Sequence, residues 1–318
     1  MTNPMTRRAL LAGAGMTLTF AWEETFMSAP EAGAAGLAPE PFRYCLNTAT
    51  LRGQKLPIAE VVDIAAEAGY QGIEPWIDEL ERHAAQGGSL RDLGKRIQDK
   101  NLTVESAIGF AEWIVDDEAR RAKGLEVAKR DMDRVAQIGG ARIAAPPVGL
   151  TDVTDLDVVK FAARYHALCE IGVQLGVTPM VEVWGFSKTL NRLGLAAAVA
   201  IESGHTNASV LADVYHLYRG GSDPAGLRLL GSKALPVLHI NDYPAIPREQ
   251  ITDAHRVYPG DGIAPMDQIL HDLYQIGFRG ALSLELFNPD YYKQDPRLVA
   301  KTGLQKTKAA VRRALVAK

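Results

Sequence analysis

Two shortages narrow this chain before any motif is read. Only two cysteines, Cys45 and Cys169, occur in 318 residues, so a multi-bridge disulfide framework is excluded and no zinc-ligand spacing exists. Both read as small buried residues, with a single disulfide between them as the minor alternative. An excess of positive charge is also missing. The formal net charge is −3, and a nucleic-acid binder needs a Lys/Arg-rich face to neutralise phosphates, so that class is disfavoured. No stretch is apolar enough for a transmembrane helix. What remains is ample for a core: 47% apolar and 23% charged side chains suit one large α/β domain or two smaller ones.

Residues 1–41 differ from the rest. Arg7 and Arg8 precede a mildly apolar Ala/Gly/Leu/Thr run ending near Trp22, which reads as a twin-arginine export signal, with 28–41 as cleavage region and linker. Glu23 and Glu24 directly after the run weigh against it, and the rival reading is a cytoplasmic tail with a chance arginine pair. An exported chain would work in the periplasm or outside the cell, and otherwise in the cytoplasm.

From 42 to 318 strand-like and helix-like segments alternate. Strands are predicted over 42–51, 72–77, 103–110, 141–146, 177–184, 208–215, 235–240 and 281–286. Helices are predicted over 56–68, 90–100, 118–138, 155–175, 190–202, 266–276 and from about 299, with a helical stretch around 224–230; several close on glycine, as at Gly69, Gly176 and Gly277. Eight such units predict a parallel sheet closed as a single-domain (β/α)8 TIM barrel, whose active site lies at the downstream ends of the strands. A doubly wound open sheet is the runner-up. It would carry a Gly-rich phosphate turn after the first strand, where this chain has Asn47-Thr48-Ala49-Thr50.

Four of the apolar strands carry a metal-capable side chain near the downstream end: Glu182, Asp213, His239 and Glu285. Any one of them alone could be a paired core residue. On four consecutive strands of a closing barrel they converge, and a shared cation is the simplest partner for buried polar groups of this kind. Three carboxylates and one imidazole favour one divalent cation, manganese first, with magnesium or cobalt as alternatives. His216, three residues after Asp213, is expected to touch the substrate, with a loop-orienting role as its rival. Arg256 is a candidate oxygen or phosphate clamp, with a surface salt bridge as its rival. Asn241 and Asp242 are candidates for fixing His239. Glu74 could hold a substrate hydroxyl. Trp76, Trp113 and Trp184 fall at or just after strand ends, where aromatic faces suit a sugar ring and also suit rim packing.

These residues, with the run from Asp253 to Gly262 that follows His239-Ile240-Asn241-Asp242, resemble the xylose-isomerase-like family of sugar isomerases and epimerases, the inosose isomerase branch in particular. The resemblance covers 42 to the carboxyl terminus. It implies that Glu182, Asp213, His239 and Glu285 hold the cation, and that Glu182 and Glu285 divide the proton transfer, with His216 assisting. Lys188 stands where several ketose epimerases of the family carry a substrate-binding glutamate, a departure that puts a plain ketose 3-epimerase in doubt. The activity expected is isomerisation or epimerisation of a keto-sugar or keto-cyclitol through an enediolate. The alternative is a metal-dependent lyase or dehydratase on the same scaffold, eliminating from a keto-cyclitol or 3-keto-glycoside. Apurinic endonuclease chemistry, also found on this scaffold, would need further His and Asp ligands and a basic face, against which stand seven histidines and a negative charge. The expected partner is a small carbohydrate or cyclitol, with neither nucleic acid nor membrane; oligomeric state is left open, a homo-oligomer included.

Overall fold

In the computed structural model, which describes residues 40–316, strand and helix alternate in the predicted order. The strands are β1 (Arg43–Asn47), β2 (Gly72–Glu74), β3 (Thr103–Val104), β4 (Arg142–Ala145), β5 (Thr178–Glu182), β6 (Val210–Asp213), β7 (Val237–Ile240) and β8 (Ala281–Leu284). The helices are α1 (Ile58–Ala68), α2 (Ile77–Ala85), α3 (Leu90–Asp99), α4 (Glu118–Gln137), α5 (Val158–Leu175), α6 (Leu193–Glu202), α7 (Val214–Gly220), α8 (Met266–Gln275) and α9 (Pro296–Val316). Helix starts are fixed by side-chain caps: Ser89 accepts from Asp92 N–H, Asp117 from Arg120 N–H and Asp157 from Lys160 N–H. Each cap contributes about 1 kcal/mol. At Gly69 the chain leaves α1 with φ at 93°, a conformation glycine adopts without steric cost. The export-signal reading of 1–41 lies almost wholly outside the described residues.

Every strand pair is parallel, in the order β3, β2, β1, β8, β7, β6, β5, β4. The two ends of this order meet without a ladder. Ala144 N–H donates to the Ala107 carbonyl at 2.8 Å, and the Arg142 guanidinium donates to the Glu105 carbonyl at 3.1 Å. The sheet is thereby curled into the predicted barrel.

Strand alternation then sorts the side chains. Cys45, Ala144, Met180, Leu211, Val237 and Ala281, with Ile108, pack together inside the barrel. Their neighbours Leu46, Val181, Ala212, Leu238 and Leu282 belong to the larger core shared with the helices. At the upstream end Arg43 and Glu105 close the interior through two hydrogen bonds of 2.7 and 2.8 Å. Gly72 is needed there, because a Cβ would come within 2.6 Å of Glu105 Cγ. Both cysteines are buried and free, so the single-disulfide alternative is not realised. Among the described residues no helix is long and apolar enough to cross a membrane.

Three local expectations are corrected. The strand predicted over 103–110 pairs only at Thr103–Val104: Glu105 still donates its N–H to the Ile73 carbonyl at 3.1 Å and faces inward to Arg43, and the following residues make single contacts, such as Trp76 with Ile108. Helix α2 was not predicted: Glu79 reaches back to accept from Trp76 N–H at 3.1 Å and starts a helix where the apolar run suggested more strand. The strand predicted over 208–215 stops at Asp213, whose carboxylate accepts from His216 N–H at 3.0 Å and opens α7 at once.

Candidate active site

Inward positions spaced by two carry the polar residues of the downstream face. Asn47 ends β1, Glu74 ends β2, Glu182 ends β5, Asp213 ends β6, His239 lies in β7, Ser283 lies in β8 and Glu285 follows it. Register aligns them, with Asp213 paired to His239 and His239 to Ser283 on adjacent strands, and Asn47 to Glu74. All are buried.

His239 is the centre of the constellation. Its Nε2 lies 3.0 Å from Glu74, and its Nδ1 lies 3.3 Å from Glu285 and 3.5 Å from Asp213. Close as these carboxylates are, neither ring nitrogen makes a directed hydrogen bond. Burial alone would lower the His239 pKa, but the charges of Glu74 and Glu285 and the proximity of Asp213 outweigh it and raise it well above the usual value. Glu74 is itself held by Ser283 at 2.6 Å and Asn47 at 2.9 Å, and Asn47 accepts from Trp76 Nε1 at 3.0 Å. Burial works against the ionised form of Glu74, while the charge of His239 and these hydrogen bonds keep its pKa below the ordinary value.

Glu182 stands apart. Its Oε2 is buried and unpartnered. Burial pushes its carboxyl up to about 8; His239 opposes this and the charges of Glu285, Asp213 and Glu74 add to it.

Arg256, 1% exposed, clamps the opposite side. Its Nη1 donates to Asp213 and to Glu285, each at 2.8 Å, and its Nη2 donates to Asp253 at 2.5 Å. The guanidinium also lies over the rings of Tyr215 at 4.4 Å and Phe287 at 5.0 Å. Burial opposes the ionised form of Asp213; Arg256, then His239 and His216, hold its pKa far below the ordinary range. His216 Nδ1 accepts from Gly185 N–H at 3.2 Å, and its Nε2 lies 3.3 Å from Arg256 Nη2. Burial lowers the His216 pKa; Asp213 opposes and Arg256 adds to the shift.

The structure therefore brings Glu74, Glu182, Asp213, His216, His239, Arg256 and Glu285 into one cluster. Asn241 joins it by donating to both Asp213 oxygens at 3.2 Å and accepting from Tyr215 N–H, so it braces Asp213. Asp242 does not fix His239 as expected: its oxygens accept from the N–H groups of Tyr243, Gly260 and Ala264 and shape the following loop. Trp113 is 0% exposed, donates to the Pro146 carbonyl at 2.9 Å and packs on Tyr165, so it belongs to the outer core and not to the mouth. Lys188 points to Asp152 at 3.3 Å in an exposed pair and makes no contact with the cluster. Trp76 and Trp184 do stand above the strand ends. Asn47, Ser283 and Phe287 were missed. All three lie two residues from an inward position already in hand or at the end of β1, so strict alternation would have found them.

The donor set suits a cation. Asp213, His239 and Glu285 offer ligand atoms within 4.8 Å of one another, and both His239 nitrogens, one Glu182 oxygen and one Glu74 oxygen are buried without hydrogen-bond partners. Four carboxyl groups, one guanidinium and one imidazole share this buried space, and a divalent ion among them would replace the protons that burial holds on Glu182 and that the neighbouring carboxylates hold on His239.

Known proteins are similar to this chain in sequence and fold. The xylose isomerase-like TIM barrel family profile matches residues 62–310. The chain is 32% identical over 273 residues to an inosose isomerase of Halalkalibacterium halodurans, covering 83% of this chain and 95% of that one. It is 23% identical over 256 residues to a 3-dehydroshikimate dehydratase of Pseudomonas aeruginosa, covering 78% of this chain and 39% of that one. The crystal structure of the IolI protein with a bound zinc atom superimposes with a TM-score of 0.78 at 24% identity, covering 86% of this chain and 99% of that one.

Proposed function

We propose a function from the premise that the chain belongs to the xylose isomerase-like TIM barrel family: it is an isomerase or epimerase that moves a proton beside the carbonyl of a keto-sugar or keto-cyclitol. The observation that carries this is the convergence of Asp213, His239 and Glu285 at the downstream face, with Glu182 in reach of their charges and its Oε2 buried and free. Asp213, His239 and Glu285, with Glu182 beside them, are the residues that would hold a divalent cation, whose charge when bound would polarise the substrate carbonyl and acidify the neighbouring C–H. Oxygen-rich donors of this kind suit manganese, magnesium or cobalt.

The chain's own residues supply the rest. Glu182 and Glu285 stand on different walls, so one takes the proton from carbon and ends protonated, while the other starts as the acid and delivers its own proton to the enediolate from the opposite side. Arg256 keeps Asp213 anionic and holds Glu285 in place. The Gly185 N–H makes Nδ1 of His216 an acceptor, so the neutral ring carries its proton on Nε2. Nε2 and Arg256 Nη2, 3.3 Å apart, are then both donors and together suit one substrate oxygen. Burial keeps His216 neutral in this role.

The test is proton exchange in deuterated water with a panel of keto-sugars and keto-inositols. Deuterium should enter at the carbon beside the carbonyl, a chelator should abolish exchange and manganese or cobalt should restore it. Turnover without exchange would reject the reading. A second reading, elimination of a β-oxygen substituent after the same first step, is favoured by the similarity to the dehydratase. Its signature is an ultraviolet-absorbing enone.

A further inference from the structure

The mouth above these residues is ringed by aromatic side chains in an unbroken circuit. Phe287 meets Trp76 at 5.8 Å, Trp76 meets Phe110 at 5.2 Å, Phe110 meets Trp184 at 6.2 Å and Trp184 meets Phe186 at 5.0 Å. The circuit closes on the site itself: Phe186 lies 5.8 Å from His216, and Arg256 lies over Phe287 at 5.0 Å while its Nη2 stands 3.3 Å from His216. The rings come from the ends of β2, β5 and β8 and from the segment after β3, so four separate stretches of chain contribute to one apolar rim.

Core packing does not account for it. Phe110 is 40% exposed and Phe186 is 46% exposed. Nor does their exposure come from loose loops. The 184–190 loop is cross-braced by Trp184 N–H to the Leu190 carbonyl and Ser187 N–H to the Trp184 carbonyl, both 3.0 Å, and a Cβ on Gly185 would strike the His216 carbonyl at 2.3 Å. A Cβ on Gly109, beside Phe110, would come within 2.8 Å of Ile143. Held apolar rings around a polar floor are the signature of a ligand with two halves.

Charge points the same way. Three cations at or near the rim already hold carboxylates: Arg256 holds Asp213, Glu285 and Asp253, Arg52 holds Asp78 at 2.6 Å while it lies over Trp76, and Lys188 holds Asp152; Arg219, whose stem packs on Gly185, donates to the Arg248 carbonyl. A phosphate ester would require a free cation at this rim.

We propose that the aromatic rim binds a flat apolar substituent on the sugar, so that the substrate is an aryl glycoside of a keto-sugar. The keto-sugar half of this statement rests on the function proposed above; the aryl half rests on the rim alone. The floor takes the sugar oxygens, and the aryl group lies among Trp76, Phe110, Trp184 and Phe186, where offset and edge contacts are favourable.

Calorimetric titration of the full chain with 4-nitrophenyl and methyl α- and β-D-glucosides separates the two halves, because none of these probes carries a ketone and no turnover is needed. The aryl glucosides should bind at least about tenfold more tightly than the methyl ones. Phe110→Ala and Phe186→Ala should each cut that ratio by about threefold or more, whereas Trp113→Phe, in the outer core, should leave it unchanged. Equal affinities, no binding of either class, or variants that weaken both classes alike would overturn the proposal. An aryl preference in a protein that exchanges no proton with any keto-sugar would sustain the rim and reject the function; exchange without an aryl preference would do the reverse.

Discussion

Replacing Arg256 by methionine tests the electrostatic organisation of the site most directly. The guanidinium is the cation that bridges Asp213 and Glu285 at 2.8 Å each, inside a cluster sealed from water. Removing one partner of a buried ion pair costs about 3–5 kcal/mol, because the remaining charges lose their compensation and cannot be hydrated. The lost cation–π contacts with Tyr215 and Phe287 add about 0.5–2 kcal/mol each, part of which the methionine stem recovers by packing. Against a typical domain stability of about 5–15 kcal/mol, the variant should be marginal. Arg256→Lys keeps one charge but not the planar fork, and should lose roughly 1–2 kcal/mol. Urea unfolding of metal-free protein at neutral pH reads these differences. Manganese should narrow the methionine gap, since a cation at Asp213 and Glu285 stands in for the missing charge. A methionine variant within about 1 kcal/mol of wild type, indifferent to manganese, would refute the electrostatic account.

Three further outcomes are expected. The Glu182 carboxyl is pushed up to about 8 in the fold from 4.5, so its contribution is fully present below pH 4.5 and is lost as pH rises through 8. Metal-free protein should therefore weaken across that window by on the order of a few kcal/mol, and Glu182→Gln should flatten the profile; an equal decline in the variant would count against the burial of this group. Trp113→Phe removes the bond to the Pro146 carbonyl and should lower stability by about 1–3 kcal/mol with KM unmoved, whereas a raised KM at unaltered stability would return Trp113 to the mouth. Gly72→Ala drives a methyl to 2.6 Å from Glu105 Cγ and 3.3 Å from Cys45 Cβ; a melting temperature equal to wild type would contradict the predicted loss of about 1–3 kcal/mol.

Much of this was legible before any coordinates, because two periodicities did the work. Helical spacing closed by glycine marked α1, α5 and α8 within a few residues, and apolar runs ending in Glu, Asp or His marked β5 to β8. The errors share a cause: side chains that take partners far away in sequence. Glu105 takes Arg43 as its partner across the barrel, and Asp213 serves as a helix cap as well as a site residue, so the strand predicted through Tyr215 ends early. Trp113 follows a predicted strand as Trp76 does, yet it finds a carbonyl in the outer core. Strand-end position alone cannot tell an inward ring from an outward one where the ladder is already broken. Asn47 and Ser283 escaped because neither is charged, although alternation with Cys45 and Glu285 fixes both inward.

The ladderless junction between β3 and β4 has a consequence for how the enzyme can move. A barrel stitched everywhere but in one place is mechanically a split ring, stiff opposite the gap and compliant beside it. β5, β6, β7 and β8, which carry Glu182, Asp213, His239 and Glu285, form an unbroken ladder away from the gap. Phe110 hangs from the lip itself, after β3 and before β4. Widening the gap would therefore shift one wall of the aromatic mouth while the spacing of the acids and the imidazole stays fixed. Amide exchange should record the division as fast protons at Ala144 and slow ones at Asp213 and His239.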